Sequence, residues 1–211
     1  QFNVDGSSPA SIFTVNSGGT LNCGTFNLVA APTATATTFV LATGGTLSIG
    51  SAAGITTAGT ASGNIQTNIR TFNNAGNYIY NGGGAQAAGT ALPATLGSLT
   101  ISNNTVLTIP TAKVVTNNFS ITTGSSTNLG TGLSHNAGTL TMGGFGSPSG
   151  SHGSTASAAT NKNDTFFAAT TGIVTAGTGT CGAIAAVLSG DNTICNGDNS
   201  NLSVAITGGL S

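Results

Sequence analysis

The side chains able to carry chemistry are few and scattered. The acids are Asp5, Asp164, Asp191 and Asp198, with no glutamate; the bases are Arg70, Lys113 and Lys162; the histidines are His135 and His152. A glycosidase needs two carboxylates about 5 to 10 Å apart, and only Asp191 and Asp198 are close in sequence. Both sit in an Asn/Gly-rich turn, where aspartate bonds its own backbone. A lyase would want a clustered base with calcium-binding carboxylates, and the three cations have no acidic cluster beside them. His135 or His152 could join Asp164 and a serine as a triad. Both histidines lie in Gly/Ser-rich stretches without a nucleophile-elbow motif and read as solvated loop histidines. Gly82-Gly83-Gly84 is followed by neither a lysine nor a helix, so it is not a phosphate cradle. The expectation is a non-enzyme, with no catalytic residue, cofactor or metal site.

The remaining polar candidates are weaker. Cys23 falls at an inward strand position and reads as a small buried hydrophobe. Cys181 and Cys195 could form a local disulfide in an oxidising compartment or stay separate thiols, and no Cys/His spacing suggests zinc. Tyr78 and Tyr80 share one face of a strand; they either stack on a sugar or pack at a corner between layers of chain. Arg70 is expected to hydrogen-bond loop carbonyls.

The elements that would position these residues follow from composition. The chain has 211 residues, 3% of them charged, against about 25% in an ordinary soluble domain. Gly, Thr, Ser, Asn and Ala fill the gap, which disfavours helix and fits strands bounded by turns. Three scattered cations cannot neutralise many phosphates, so nucleic acid is disfavoured. No apolar run of about 18 residues is present, so a membrane span is disfavoured. Gln1 opens directly on turn-forming polar sequence without a charged or apolar leader, from which we expect a removed signal or a piece of a longer protein.

The organising signal is a repeat. Phe13 to Gly24, FTVNSGGTLNCG, returns further on as Phe39 to Gly50, FVLATGGTLSIG. Phe13 pairs with Phe39, Val15 with Leu41, Leu21 with Leu47 and Cys23 with Ile49, and the Gly-Gly-Thr-Leu corner recurs intact. Ile65, Ile69 and Phe72 resume the inward spacing. Later the interval shortens, from Ile101 to Ile121 and again from Ile121 to Met142. Such recurrence predicts an all-β parallel right-handed β-helix or solenoid with irregular coils of about 20–26 residues, each rising about 4.8 Å. Residues 143–163 lose the period and read as a Gly/Ser-rich surface excursion. Phe166-Phe167 and Ile173-Val174 would add a last coil. The expected organisation is a solenoid over 1–180, then a linker and the first strands of a truncated Ig-like module over 181–211. There one strand would end at Ile194 and the next would run from Leu202 to Ile206.

The run from Gly44 to Asn103, beginning GGTLSIGSAAGITT, resembles the repetitive β-solenoid regions of very large secreted proteins of gliding and other Bacteroidetes-type bacteria, which end in a signal for type IX secretion. The tail from Gly190 to Gly209 resembles the opening strands of the Ig/PKD-like modules that often follow such regions. The resemblance implies an adhesin-like stalk at the cell surface or outside the cell. Its partners would be the rest of its own polypeptide, the outer-membrane secretion machinery and surface polysaccharide.

Two further readings stand beside the stalk. Threonine pairs such as Thr35/Thr37, Thr139/Thr141 and Thr20/Thr46 suggest binding to a regular surface, ice or a crystalline polysaccharide. A polysaccharide-degrading β-helix enzyme is the third.

Overall fold

β-Branched and aromatic side chains crowd the short segments between glycine corners, and such side chains suit a pleated surface. A computed structural model describes residues 2–4, 11–30, 37–177, 185–189 and 203–207. Among them there is no helix. The fold is all-β, with several sheets whose strands pair mostly in parallel.

Two sheets carry the repeat. In one, Ser11–Val15, Thr37–Leu41 and Ile69–Phe72 lie side by side. In the largest, of 11 strands, Thr20–Asn22, Thr46–Ile49, Asn77–Tyr80, Ser98–Ile101, Val114–Ile121 and Ser134–Met142 follow in parallel. The first register displacement is identical in both sheets, with Phe13 opposite Phe39 and Leu21 opposite Leu47. The second is longer and again identical, with Thr38 opposite Ile69 and Thr46 opposite Asn77. Equal displacements mean that the two sheets advance together, one strand of each per pass of chain. Shorter, nearly constant steps follow, from Tyr80 to Ile101, Ile121 and Met142. The passes are therefore not confined to the coil length expected from the repeat. Residues 51–64 lengthen the second, and the step from Ser134 to its partner Ile173 is longer still.

Alternation along each strand turns every second side chain inward. Leu47, Tyr78, Leu99, Phe119 and Leu140 form one column behind Leu21; Ile49, Tyr80, Ile101 and Ile121 form the next, ending at Met142. Between Leu47 and Leu140 and between Ile49 and Ile121, none of these residues is more than 1% exposed. Each contributes roughly 1.5–3 kcal/mol of hydrophobic stabilisation. In the companion sheet the rings of Phe13 and Phe39 stack at 6.3 Å, and Phe39 meets Phe72 at 5.7 Å.

The corners stack as well. Gly19 N bonds Asn16 O, Gly45 N bonds Ala42 O and Gly76 N bonds Asn73 O, three equivalent turns on three successive passes. A side chain at Gly45 would put its Cβ 2.7 Å from the Val15 carbonyl oxygen, so only glycine lets the turns approach this closely. The glycine position recurs more widely than the Gly-Gly-Thr-Leu text, with the turn kept at Gly76, and with Gly138 lying within a strand. Gly76-Asn77-Tyr78, Gly97-Ser98-Leu99 and Gly138-Thr139-Leu140 occupy the same register position.

Residues 143–163 are not a loop. Phe145–Gly146 folds back antiparallel onto Ser134–Met142; Gly150–Gly153 pairs antiparallel with Ile173–Ala176 and parallel with Asn161–Lys162. Small residues hide the strand pattern because backbone hydrogen bonds, rather than apolar side chains, hold it. Ile173–Ala176 also joins Ser134–Met142 in parallel, and Phe167 bridges Thr127, so this stretch does add to the stack. Ile69 is 50% exposed rather than inward, because Arg70 takes the place opposite Phe39. Near the end, Ala185–Ser189 pairs antiparallel with Ser203–Thr207. Ser203–Thr207 covers most of the second strand expected there, whereas Ile194, the expected end of the first, lies outside the described residues. Cys181 and Cys195 lie outside the described residues.

Candidate functional site

The charged groups within the stack point at the chain's own backbone. Arg70 follows Ile69 in a strand, and its guanidinium reaches into the corner formed by residues 56–60. Its Nε donates to Thr67 O at 3.0 Å, Nη1 to Thr56 O, Thr56 Oγ1 and Thr57 O at 2.8–3.0 Å, and Nη2 to Thr60 O at 2.9 Å. Burial lowers its pKa. The expected role of Arg70, clamping loop carbonyls, is what the geometry gives.

Lys113 and His135 form a second internal group. The Lys113 ammonium is buried and donates to Leu92 O at 2.7 Å. Its backbone N–H donates to His135 Nδ1 at 3.2 Å, and His135 Nε2 lies 2.8 Å from Leu129 O. A carbonyl only accepts, so Nε2 carries the proton and the ring is neutral. Burial holds the His135 pKa below the ordinary imidazole value, with the Lys113 charge adding to the effect against the Leu129 carbonyl. Burial lowers Lys113 too.

His152 sits on Gly150–Gly153 and is 1% exposed. Its Nε2 contacts Pro148 O at 2.9 Å, and its Nδ1 has no hydrogen-bond partner among the described residues. The reading of both histidines as solvated is thus corrected, since strand alternation turns them inward. Asp164 is exposed; its carboxylate accepts from Thr155 N and Thr155 Oγ1, both at 2.8 Å. The Thr155 amide, then its hydroxyl, hold the Asp164 pKa below the usual carboxylate range, and Lys162 adds slightly. Neither histidine is hydrogen-bonded to a carboxylate or hydroxyl among the described residues, so the triad set aside in the sequence finds no geometry here. No group of three or more metal-ligating side chains occurs among the described residues.

Tyr78 and Tyr80 are both fully buried. Tyr78 donates to Asn73 O at 2.7 Å, and Tyr80 donates to Ala88 O at 2.6 Å. Burial pushes both phenol pKa values up, and for Tyr80 the neighbouring Tyr78 adds to this. Of the two alternatives for this pair, packing between layers of chain is the one observed: both rings occupy inward positions and offer no face to a sugar. Cys23 is buried, and its thiol is pushed up to about 12 by desolvation, so it is not a reactive thiolate.

Sequence reasoning missed the buried carboxamides. Asn64 Oδ1 accepts from Gly50 N and Ser51 N, while Nδ2 donates to Gly24 O and Phe26 O. Gln86 Oε1 accepts from Gly82 N, and Nε2 donates to Ile49 O and Ser51 O. Each carries donors and acceptors without charge and ties the corners of adjacent passes together. A polar amide directly before the apolar Ile65 was the one available cue.

The outward face of the largest sheet is left. One column runs Thr20, Thr46, Asn77, Ser98, then Asn118 and Thr139; the next runs Asn22, Ser48, Ile79, Thr100, Ser120, Thr141. Of these, Ser48 alone is buried. Asn118 Oδ1 accepts from both Thr139 Oγ1 and Thr141 Oγ1 at 2.9 and 3.0 Å. Thr20 and Thr46 are register partners as their spacing suggested, whereas Thr37 is buried and bonded to Asn68. Thr35 lies outside the described residues.

Comparison with family models, with curated proteins and with solved structures finds no match to this chain. No helix among the described residues is long and apolar enough to cross a membrane.

Proposed function

We propose that residues 1–180 form a parallel right-handed β-helix serving as a non-catalytic stalk segment of a secreted, adhesive bacterial surface protein. In this reading residues 181–211 form a linker and the opening strands of an Ig-like module. The observation that carries the reading is the shared register of the two parallel sheets. Phe13 steps to Phe39 as Leu21 steps to Leu47, and Phe39 then steps to Arg70 as Leu47 steps to Tyr78. That is the behaviour of chain wound around one axis, where stability comes from stacking similar units and no reactive site is required. The inward use of Arg70 and Lys113 supports it, since their charges satisfy backbone rather than facing a substrate. Export by type IX secretion, a location at or outside the cell surface, and contact with the rest of a larger polypeptide rest on the sequence resemblance.

The test is an immunoblot of the native source with antibody raised to this chain. The reading expects a species far larger than 20.2 kDa that external protease removes from intact cells. A free species of that mass retained inside protease-treated cells would overturn it.

A further inference from the structure

The two outward columns of the largest sheet define a surface with unusual chemistry. Across six parallel strands it presents Thr20, Thr46, Asn77, Ser98, Thr100 and Ser120, among others, and not one charged group. Parallel pairing sets the rows about 4.8 Å apart, and alternate residues along a strand lie about 6.7 Å apart. Behind each row from Thr46–Ile49 to Val114–Ile121 a fully buried Leu, Ile, Tyr or Phe fixes the strand, so this lattice is stiff. The side chains of Thr46, Ser98, Thr100 and Ser120 bond no acceptor among the described residues. Ile79 places one apolar group amid the hydroxyls and amides.

Resting on the reading of the chain as an adhesive surface segment, we infer that this face docks an insoluble, uncharged polysaccharide whose chains pack side by side. The charge balance selects the partner. All three cations in the sequence donate to backbone carbonyls and none lies in these columns, so a polyanion finds no counter-charge on this face. A neutral polymer of hydroxyls loses nothing by meeting neutral donors and acceptors. The physical state of the partner follows from magnitude. Each new hydrogen bond only replaces one to water and contributes about 1 kcal/mol or less, while association and ordering cost several times that. A flexible soluble oligosaccharide would lose its conformational freedom for a few such bonds. A solid surface is already ordered and meets many rows at once. No aromatic side chain lies in these columns, so the stacking platform that holds single sugar rings is missing from the face.

The experiment is a sedimentation assay with the whole 211-residue chain and microcrystalline cellulose or chitin. The chain is expected to partition onto at least one of these solids, with less than twofold change between low and high salt. Soluble cello- and chito-oligosaccharides are expected not to compete. Thr100→Arg and Ser120→Asp each place a charge in the lattice and should reduce the bound fraction at least tenfold. Thr71→Arg, on the companion sheet, should leave it unchanged. Thermal melts of all variants establish that the fold is kept. The inference is overturned if the wild-type chain binds neither solid, if both lattice variants bind undiminished, or if alginate gel binds the chain as well as the neutral solids do. These outcomes leave the immunoblot test of the stalk untouched, so the two readings fail separately.

Discussion

The backbone amide of Lys113 donates to His135 Nδ1 at 3.2 Å across neighbouring passes of chain. The ring can accept that bond only while neutral. Protonation would replace the acceptor with a donor facing another donor, in a buried site beside the Lys113 ammonium. Because the folded pKa of His135 is lowered, its contribution to stability is complete above the unfolded value near 6.5. It is lost as pH falls from there towards the folded value. The melting temperature is expected to drop between pH 7 and pH 5, and His135→Gln should flatten that slope while lowering stability at pH 7. An equal slope in the variant would place the acid sensitivity elsewhere.

Asn64 joins two passes through four hydrogen bonds. Asn64→Ala leaves two amides and two carbonyls without that partner, at a cost of about 3 kcal/mol. Urea unfolding should show this as a lower midpoint with an unchanged slope.

Tyr80→Phe removes one buried hydroxyl and leaves Ala88 O without its phenol donor. The expected loss is about 1–2 kcal/mol, with the ring's packing retained. Calorimetry is the check, and Tyr78→Phe should cost a similar amount.

Two glycines separate steric from conformational effects. A Cβ at Gly50 would collide with the Gly24 carbonyl, whereas one at Gly18 meets nothing within 4 Å although φ there is +74°. Gly50→Ala is expected to cost about 3 kcal/mol or more through forced separation of passes, and Gly18→Ala about 1 kcal/mol through left-handed strain. Comparable losses at the two sites would contradict the close approach of the corners.

The stacking register was legible in the sequence where apolar residues carried it. Phe13 and Phe39, and Ile101 and Ile121, do lie opposite each other. The third corner, Ala75-Gly76-Asn77-Tyr78, escaped notice because it lacks the doubled glycine, although Gly76 makes the same turn. Residues 143–163 were unreadable for a related reason: in Gly150–Gly153 the pairing is a property of the backbone, and hydropathy reports side chains. The burial of His135, His152 and Lys113 was also hidden. A lone polar residue among glycines and threonines looks the same whether its partner is water or a carbonyl from the neighbouring pass of chain.

The parallel ladders also have a mechanical meaning. Successive rungs such as Leu99–Ile101 and Phe119–Ile121 are joined by intervening chain rather than by tight hairpins. Tension drawn on one end would therefore load the hydrogen bonds of the outermost rung first and peel rungs off in sequence. Each one freed would release on the order of 70 Å of contour length. Chain paired in this way would yield in small steps under load instead of snapping.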